Sequence, residues 1–454
     1  MRKVRPALLK GFDQEFLPQE QLQFNALLEL VRRNFERFGF LPIETPSAER
    51  IEVLTSKGGA EKEIYALSRL AAEDDDEAAA KGALRFDLTV PLARYVAMRE
   101  RELAFPFRRY QIQRVWRGEN PQVKRGRFRE FYQCDIDVIG RETLSPLFEA
   151  EIPAVIHSVF REMAIGRFVI RINNRKVLKG ILRHFDVSDE ASTPVLRALD
   201  KVEKEDRQAI LAELQANAVP ANAAGELYGV IATKRQTAET IEFLGGLGYA
   251  NEMYKQGVGE LAQIVEAIRQ FGVPDDAFAI DLGVVRGLDY YTGTIYETTL
   301  LDHPDIGSIC SGGRYDDLAS YFTNTRLPGV GISIGLSRLF ARLKEANLLQ
   351  PLARTPAEVL VTTLDPASLG RYLQLAGELR AQGVNTEVYL ERAKIGKQFE
   401  YANRKGFRVA ITAGADEFAR QAVKVKDLAH QSESDVPAAE LVARVKQLLK
   451  HKAE

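Results

Sequence analysis

Arg114-Val115-Trp116-Arg117-Gly118-Glu119-Asn120-Pro121-Gln122-Val123-Lys124-Arg125-Gly126-Arg127-Phe128-Arg129-Glu130-Phe131-Tyr132-Gln133-Cys134-Asp135-Ile136-Asp137 is the stretch on which the reading of this chain turns. Pro121 and Gly126 interrupt it, so it reads as strand, loop, strand. Together with Arg108 and Arg109 it holds the densest basic cluster of the chain, opposed only by Glu119 before Glu130 is reached. Such a loop is suited to gripping phosphates, because arginine binds them through two parallel hydrogen bonds and keeps its charge. A solvated basic hairpin accounts for the composition equally well. The second strand alternates strictly: Phe131, Gln133, Asp135 and Asp137 share one face, and Tyr132, Cys134 and Ile136 the other. A face carrying Gln133 and two carboxylates is no apolar core, so it meets solvent, a partner or a ligand.

Working outward, the segments 83–90, 107–117 and 128–139 suit antiparallel strands of one sheet. Upstream, Pro18 opens a helix that Gly39 can end, with Leu27, Val31, Phe35 and Phe38 at helical spacing. Phe40 to Pro46 reads as an edge strand because of its prolines. The acidic run at 71–80 reads as a solvated hairpin tip. Downstream, 166–173 is a strand and 175–268 turns helical, an inserted module between strand-rich regions. Strand signals return at 278–284, 292–300 and 306–312, and a helix follows from Leu336 to Asn347. Pro351 and Pro356 flank a linker. Beyond it, strands at 359–363, 388–390 and 409–412 alternate with helices at 367–382 and 396–405, which implies a small α/β domain with a mostly parallel sheet. The expected division is 1–174, 175–268, 269–350 and 351–454.

Composition narrows the function classes. The 454 residues carry 62 basic and 63 acidic side chains, a formal net charge of −1, so bulk charge announces no nucleic acid and local patches would have to hold one. Cys134 and Cys310 have no CxxC partner, and His157, His184, His303, His430 and His451 are scattered. Neither a zinc ribbon nor a histidine-built metal site is expected. No apolar run reaches the ~18 residues of a membrane span, and Met1 to Arg5 lacks the apolar core of a signal peptide. A cytoplasmic protein with no membrane association is the expectation.

Three further constellations stand out. Val285 to Gly293 sets Arg286 just before Gly287 and the pair Tyr290-Tyr291 between Gly287 and Gly293, an improbable core sequence. Ser308 to Asp316 contains Gly312-Gly313-Arg314-Tyr315 but neither dinucleotide nor Walker-type spacing. Pro328 to Arg338 is a glycine-rich strand leading into a helix that begins near an arginine.

These stretches, in this order, resemble the histidyl-tRNA synthetases. Phe40 to Glu49 looks like motif 1 of the class II synthetases, which builds their dimer interface; residues 114–137 look like motif 2 and 328–338 like motif 3. Arg286 to Gly293 matches the signature peculiar to the histidine enzymes, and Gly312 to Asp316 their second signature. Arg85 to Pro91 and Arg125 to Gln133 resemble the eukaryotic and archaeal-type branch. Ser337 departs from the family pattern, which has a glutamate before the motif 3 arginine, and 429–435 lacks the family's Gly-Glu-Gln turn. The implied fold is α+β: a class II antiparallel-sheet catalytic domain with a helical insertion, followed by an α/β anticodon-binding domain. Ala393 to Gln398, Tyr401 to Gly406 and Val423 to Leu428 match that last domain.

The resemblance implies a two-step reaction. Histidine attacks the α-phosphorus of ATP, giving histidyl-adenylate and pyrophosphate, and a ribose hydroxyl at the 3′ end of tRNA(His) then takes the histidyl group. It implies Arg117 and Arg286 as the catalytic pair on the α-phosphate, with Arg338 at the adenine and γ-phosphate end. For histidine it implies Asp87, Thr89 and Gln133 on the α-ammonium, Asp137 and Tyr291 on the ring nitrogens, Tyr290 beside them, Arg286 on the carboxylate, and Gly312 and Gly313 as a thin floor. Mg2+ accompanying ATP, a homodimer, and no protein-held metal complete the set. The main rival is a non-catalytic relative that regulates histidine biosynthesis as a subunit of ATP phosphoribosyltransferase. Such relatives lack the arginine-tyrosine signature and the anticodon domain. A plain RNA-binding scaffold leaves the polar faces unexplained.

Overall fold

The structure, a computed structural model, describes residues 5–56, 61–69, 81–285, 291–317, 319–350 and 352–450. The acidic run at 71–80 and the signature residues Arg286 to Tyr290 lie outside them. The chain divides into two compact units, one of residues 1–14 and 27–349 and the other of 15–26 and 350–454.

The first unit is built on a sheet of eight strands: β1 (Leu41–Pro42), β2 (Phe107–Trp116), β3 (Glu130–Ile139), β4 (Phe168–Asn174), β5 (Phe278–Ile280), β6 (Thr294–Leu300), β7 (Ser308–Tyr315) and β8 (Gly329–Ile334). Their spatial order is β1-β2-β3-β8-β7-β6-β4-β5. The two outermost pairings are parallel and every pairing between them is antiparallel. The long hairpin β2–β3 follows from the quoted stretch: ten residues on each side pair in unbroken register, Phe107 opposite Ile139 and Trp116 opposite Glu130. β1 is the expected edge strand, cut to two residues.

One face of this sheet is covered by helices. Cys134, Ile136 and Val138 are fully buried on one side. The helices Leu147–Met163 and Leu336–Glu345 pack against the sheet, and in the second of these Leu336, Leu339, Phe340 and Leu343 recur at helical spacing and are buried. Burying each such side chain contributes about 1.5–3 kcal/mol. On the opposite side a row of polar residues crosses the strands in register. Gln111 stands opposite Asp135, Asp135 opposite Ser333, Ser333 opposite Ser311, Ser311 opposite Glu297, and Glu297 opposite Arg171. Gln111, Asp135 and Glu297 in that row are buried.

One sequence expectation changes here. Residues 83–90 are not a strand of the main sheet. Gly82–Leu84 joins a separate small sheet with Ala48–Arg50 and Tyr65–Ala66, and a helix runs from Thr89 to Arg99. The reason is local: Asp87 Oδ1 accepts the Val90 N–H at 3.1 Å, and Pro91 sits in the first turn, where its missing N–H costs nothing. The helical stretch after β4 holds six helices from Arg175–His184 to Glu252–Gln270, counted with the first unit.

The second unit holds a five-stranded sheet that is mixed rather than mostly parallel. Thr386–Val388, Val359–Val361 and Val409–Thr412 are parallel neighbours, but Ala422–Asp427 and Ser432–Pro437 add on antiparallel. A connection of four residues closes that last hairpin, whereas parallel neighbours need a crossover of a dozen residues. Asp427 Oδ1 accepts the backbone N–H groups of Ala429 and His430, and Gln431 takes φ 52°, so the turn forms without the family's glycine.

Candidate active site

The polar face of β3 is buried. Gln133, Asp135 and Asp137 are exposed by 9%, 3% and 4%, which removes the solvent reading of that face. The face opens at its Gln133 end into a cleft of about 360 Å³, lined by Arg117, Glu119, Arg127, Phe131, Gln133, Ser308, Ser333 and Arg338 among others. Three of the four stretches singled out from the sequence therefore border one space or its buried extension: motif 2, the Ser308–Tyr315 strand, and the Gly329–Ile334 strand with the helix that follows.

Arg117 continues from β2. Its Nε donates to the Phe86 carbonyl at 3.0 Å and its guanidinium lies 5.2 Å from the Phe131 ring centroid. Its head is thus fixed between the Arg85–Leu88 segment and the first turn of β3. Arg338 rises from the opposite wall, in the first turn of its helix. Its Nη2 donates to the Ile306 carbonyl at 3.3 Å. The tip of the basic loop closes over it: Gly126, at φ 68°, lies so near that a Cβ there would stand 3.0 Å from Arg338 Cγ. A side chain at that position is strained on both counts.

Gln133 donates from Nε2 to Ser333 Oγ at 2.6 Å. Its Oε1 is buried and accepts no hydrogen bond among the described residues, so an acceptor is held ready at the cleft wall. Deeper along the face, Asp137 is held from several strands. Its Oδ2 is 2.5 Å from Arg109 Nη2 on β2, and its Oδ1 accepts the Tyr315 hydroxyl on β7 at 2.6 Å. On β8 it faces Gly331, where a Cβ would stand 2.2 Å from Oδ1. Burial pushes the Asp137 carboxyl up to about 6 against the pull of Arg109, and that of Asp135 up to about 7 against Arg109 and the Ser333 hydroxyl. The negative charge of Asp87 reaches both and pushes the same way, placing the Asp87–Thr89 turn beside this face.

The remaining candidates are placed as follows. Thr89 is half-buried at the head of its helix. Tyr291 lies over β7: a Cβ on Gly313 would stand 2.8 Å from Tyr291 Cδ1. Gly312 and Gly313 are successive strand residues and so face opposite sides. The space beside Gly312 is taken by Ile332 and the Gly331 carbonyl. Arg286 and Tyr290 fall outside the described residues. Ser337, the departure from the family pattern, is fully buried; its hydroxyl accepts the Tyr132 N–H at 2.9 Å and donates to Gln14 Oε1 at 2.6 Å. It therefore clasps β3, the motif 3 helix and the N-terminal segment together.

Sequence reasoning did not single out Arg109 or Ser333, and it quoted Tyr315 only as part of a signature. A signal existed for Arg109. Once β2 and β3 pair as a hairpin, an arginine opposite a polar-face aspartate is a candidate buried ion pair.

Comparison with known proteins gives the family. The family model described as histidyl-tRNA synthetase matches residues 13–339, and one described as anticodon binding domain matches 358–448. A histidine–tRNA ligase of Xanthomonas axonopodis pv. citri is 48% identical over 97% of this chain and 95% of its own length. That of Stenotrophomonas maltophilia is 48% identical over 93% and 94%. These relatives are bacterial, so the expected eukaryotic and archaeal-type branch finds no support in them. The crystal structure of histidyl-tRNA synthetase from Nostoc superposes with a TM-score of 0.90 at 40% identity, covering 98% of this chain and all of that one. A Bacillus halodurans structure described as an ATP phosphoribosyltransferase regulatory subunit/histidyl-tRNA synthetase shares the fold at 20% identity and a TM-score of 0.73. With its paired acceptors, its cationic cleft and relatives matched along nearly the whole chain, this protein belongs to the histidyl-tRNA synthetase family.

Proposed function

We propose that this chain is a histidine–tRNA ligase, activating histidine with ATP to histidyl-adenylate and transferring it to the 3′ end of tRNA(His). The observation that carries this reading is the junction of the Gln133–Asp137 face with the Arg117–Arg338 cleft. One end offers buried acceptors for an amino acid with a polar ring; the other offers cations for phosphates.

In the first step a carboxylate oxygen of histidine bonds to the α-phosphorus and pyrophosphate leaves. Such chemistry depends on positioning and on neutralising developing charge rather than on a protein base. Arg117 holds the α-phosphate from one side and Arg286 from the other, where Arg286 also meets the histidine carboxylate. Arg338 grips the adenine and γ-phosphate end. Asp87, Thr89 and Gln133 accept the three N–H groups of the α-ammonium; the free Gln133 Oε1 supports this. Asp137 accepts the ring N–H and Tyr291 pairs with the other ring nitrogen, with Tyr290 beside it. Gly313 leaves room for Tyr291. A site that satisfies a polar ring rejects analogues lacking it by roughly 10⁴–10⁵, which makes editing unnecessary.

A magnesium ion carried on the phosphates needs only one or two protein carboxylates, and Glu119 lines the cleft. It would neutralise phosphate charge. The enzyme acts in the cytoplasm as a homodimer through its motif 1 region, and residues 351–454 read the tRNA anticodon end. Among the described residues no helix is long and apolar enough to cross a membrane. The anticodon-domain match at 358–448 argues against the regulatory-subunit reading.

The test is histidine-dependent ATP–pyrophosphate exchange on the purified protein. Exchange with histidine and with no other amino acid is expected; no exchange, or equal exchange with a second amino acid, sinks the assignment. Arg286→Ala should abolish exchange while leaving tRNA binding nearly intact.

A further inference from the structure

Arg109 is the least expected residue of the site. It is completely buried, it lies outside every motif that carries the function, and a guanidinium keeps its charge wherever it is placed. It stands directly opposite Asp137 in the β2–β3 register. Nη2 is 2.5 Å from Asp137 Oδ2, and among the described residues it is the cation paired with that carboxylate. The guanidinium nitrogens are buried and make no aligned hydrogen bond among the described residues, so its charge is spent on its neighbours and not on solvent. A structural arginine in the same unit looks different. Arg85, equally buried, gives its N–H groups to the carbonyls of Thr45, Pro46 and Arg114.

We propose that Arg109 is a positioning residue for substrate selection: it holds Asp137 ionised and aimed, so that the site takes histidine with its ring neutral. The inference rests on the reading of Asp137 as the ring acceptor. An ionised carboxylate can only accept, whereas a protonated one also donates. A lone buried carboxylate would either take up a proton or draw in the charged imidazolium. Paired with Arg109 it does neither, because the pair is neutral. The groups facing Asp137 make the cation necessary. Asp87, ahead of the helix Thr89–Arg99, adds negative charge; Asp135 on the same strand is itself raised to about 7 and is fully anionic only above that pH; and Tyr315 on β7 donates a hydroxyl. Tyr291 lies beside Tyr315, and β8 supplies only Gly331. Burial raises the carboxyl, and Arg109 is the largest influence opposing it.

The test uses the full-length enzyme in histidine-dependent exchange. Arg109→Met should raise the histidine KM at least about tenfold at neutral pH and leave the ATP KM within about twofold, the split expected when an interaction with one substrate alone is lost. Losing the cation raises the carboxylate further, so the acid limb of kcat/KM for histidine should move to higher pH. Arg109→Lys, which keeps a cation, should recover most of both effects. A histidine KM and an acid limb that match the wild type overturn the inference, and so does a parallel rise in both KM values or a lysine variant no better than methionine. Asp137→Asn separates the two readings. If it leaves the histidine KM unchanged, Asp137 is not the ring acceptor and both fall; if it raises the KM while Arg109→Met does not, only the role of Arg109 falls. Should Arg109→Met not fold, calorimetry of histidine binding to the wild type at about pH 6, in buffers of different ionisation enthalpy, decides it. Proton release is expected, because the ring enters neutral and Asp137 ionised; proton uptake overturns the inference.

Discussion

Two strands of this molecule alternate in the same way and meet opposite fates. In Glu130–Ile139 the polar residues Gln133, Asp135 and Asp137 are buried. In Ala422–Asp427 the face of Val423 and Val425 is buried while Lys424 and Lys426 on the other face are half-buried, Lys424 reaching Glu433 at 3.6 Å across the hairpin and Lys426 lying 4.8 Å from the Phe399 ring centroid. The period of two assigns residues to faces in both strands. What lies over a face is set elsewhere. The Lys424 side chain is partly exposed, so its charge stays in reach of water as well as of Glu433. Around Asp137 stand Arg109, Tyr315 and Gly331 from three other strands, and a carboxylate placed there must be compensated atom by atom.

This contrast can be broken in graded steps. The largest effect is expected from Arg117→Ala at the mouth of the buried face. Loss of one such transition-state donor should lower exchange by roughly 10²–10³, with tRNA binding retained in a filter assay. Gly331→Ala comes next. Its Cβ would meet Asp137 Oδ1 at 2.2 Å and the Ile136 carbonyl at 2.3 Å, and a backbone carbonyl cannot step aside. A loss of about 3 kcal/mol in denaturant unfolding is expected, together with a raised histidine KM. Tyr315→Phe removes only the hydroxyl bonded to Asp137 and should cost about 1.5–3 kcal/mol in the same measurement. Lys424→Ala, on the partly exposed face, should stay within about 0.5 kcal/mol of wild type. If Lys424→Ala costs as much as Tyr315→Phe, the two faces do not differ as described.

A pH comparison sharpens the same point. Asp135 is raised to about 7 in the folded protein from an ordinary value of 3.8. Between those values the folded state binds the extra proton, so the contribution of Asp135 to stability falls as pH rises across that window. Asp135→Asn carries no such proton. Its melting temperature relative to wild type should therefore be higher at about pH 7.5 than at about pH 5. A difference that is flat with pH would remove the buried charge from the account.

Much of this was legible in the sequence, for reasons that differ from residue to residue. The hairpin around Arg117 could be read because Pro121 and Gly126 break two alternating runs. The grouping of Gln133 with Asp137 could be read because alternation is local. Burial of that face could not, since it depends on β8 and β7, which arrive from nearly 200 residues downstream in the order β3-β8-β7. Arg109 was hidden by company: amid Arg108, Arg114 and Arg117 it looks like one more surface cation. Residues 83–90 were read as a strand of the main sheet because an apolar-polar run that short suits a strand, and the Asp87 hydrogen bond to the Val90 N–H at the start of the helix Thr89–Arg99 is a single contact.

The Ser337 clasp carries a practical consequence for anyone handling the protein. One hydroxyl joins Gln14, near the beginning of the chain, to the backbone of Tyr132, whose neighbours Phe131 and Gln133 line the cleft. A change in the segment around Gln14 is therefore two hydrogen bonds from the cleft, while the helix Leu441–Lys450 belongs to the other unit.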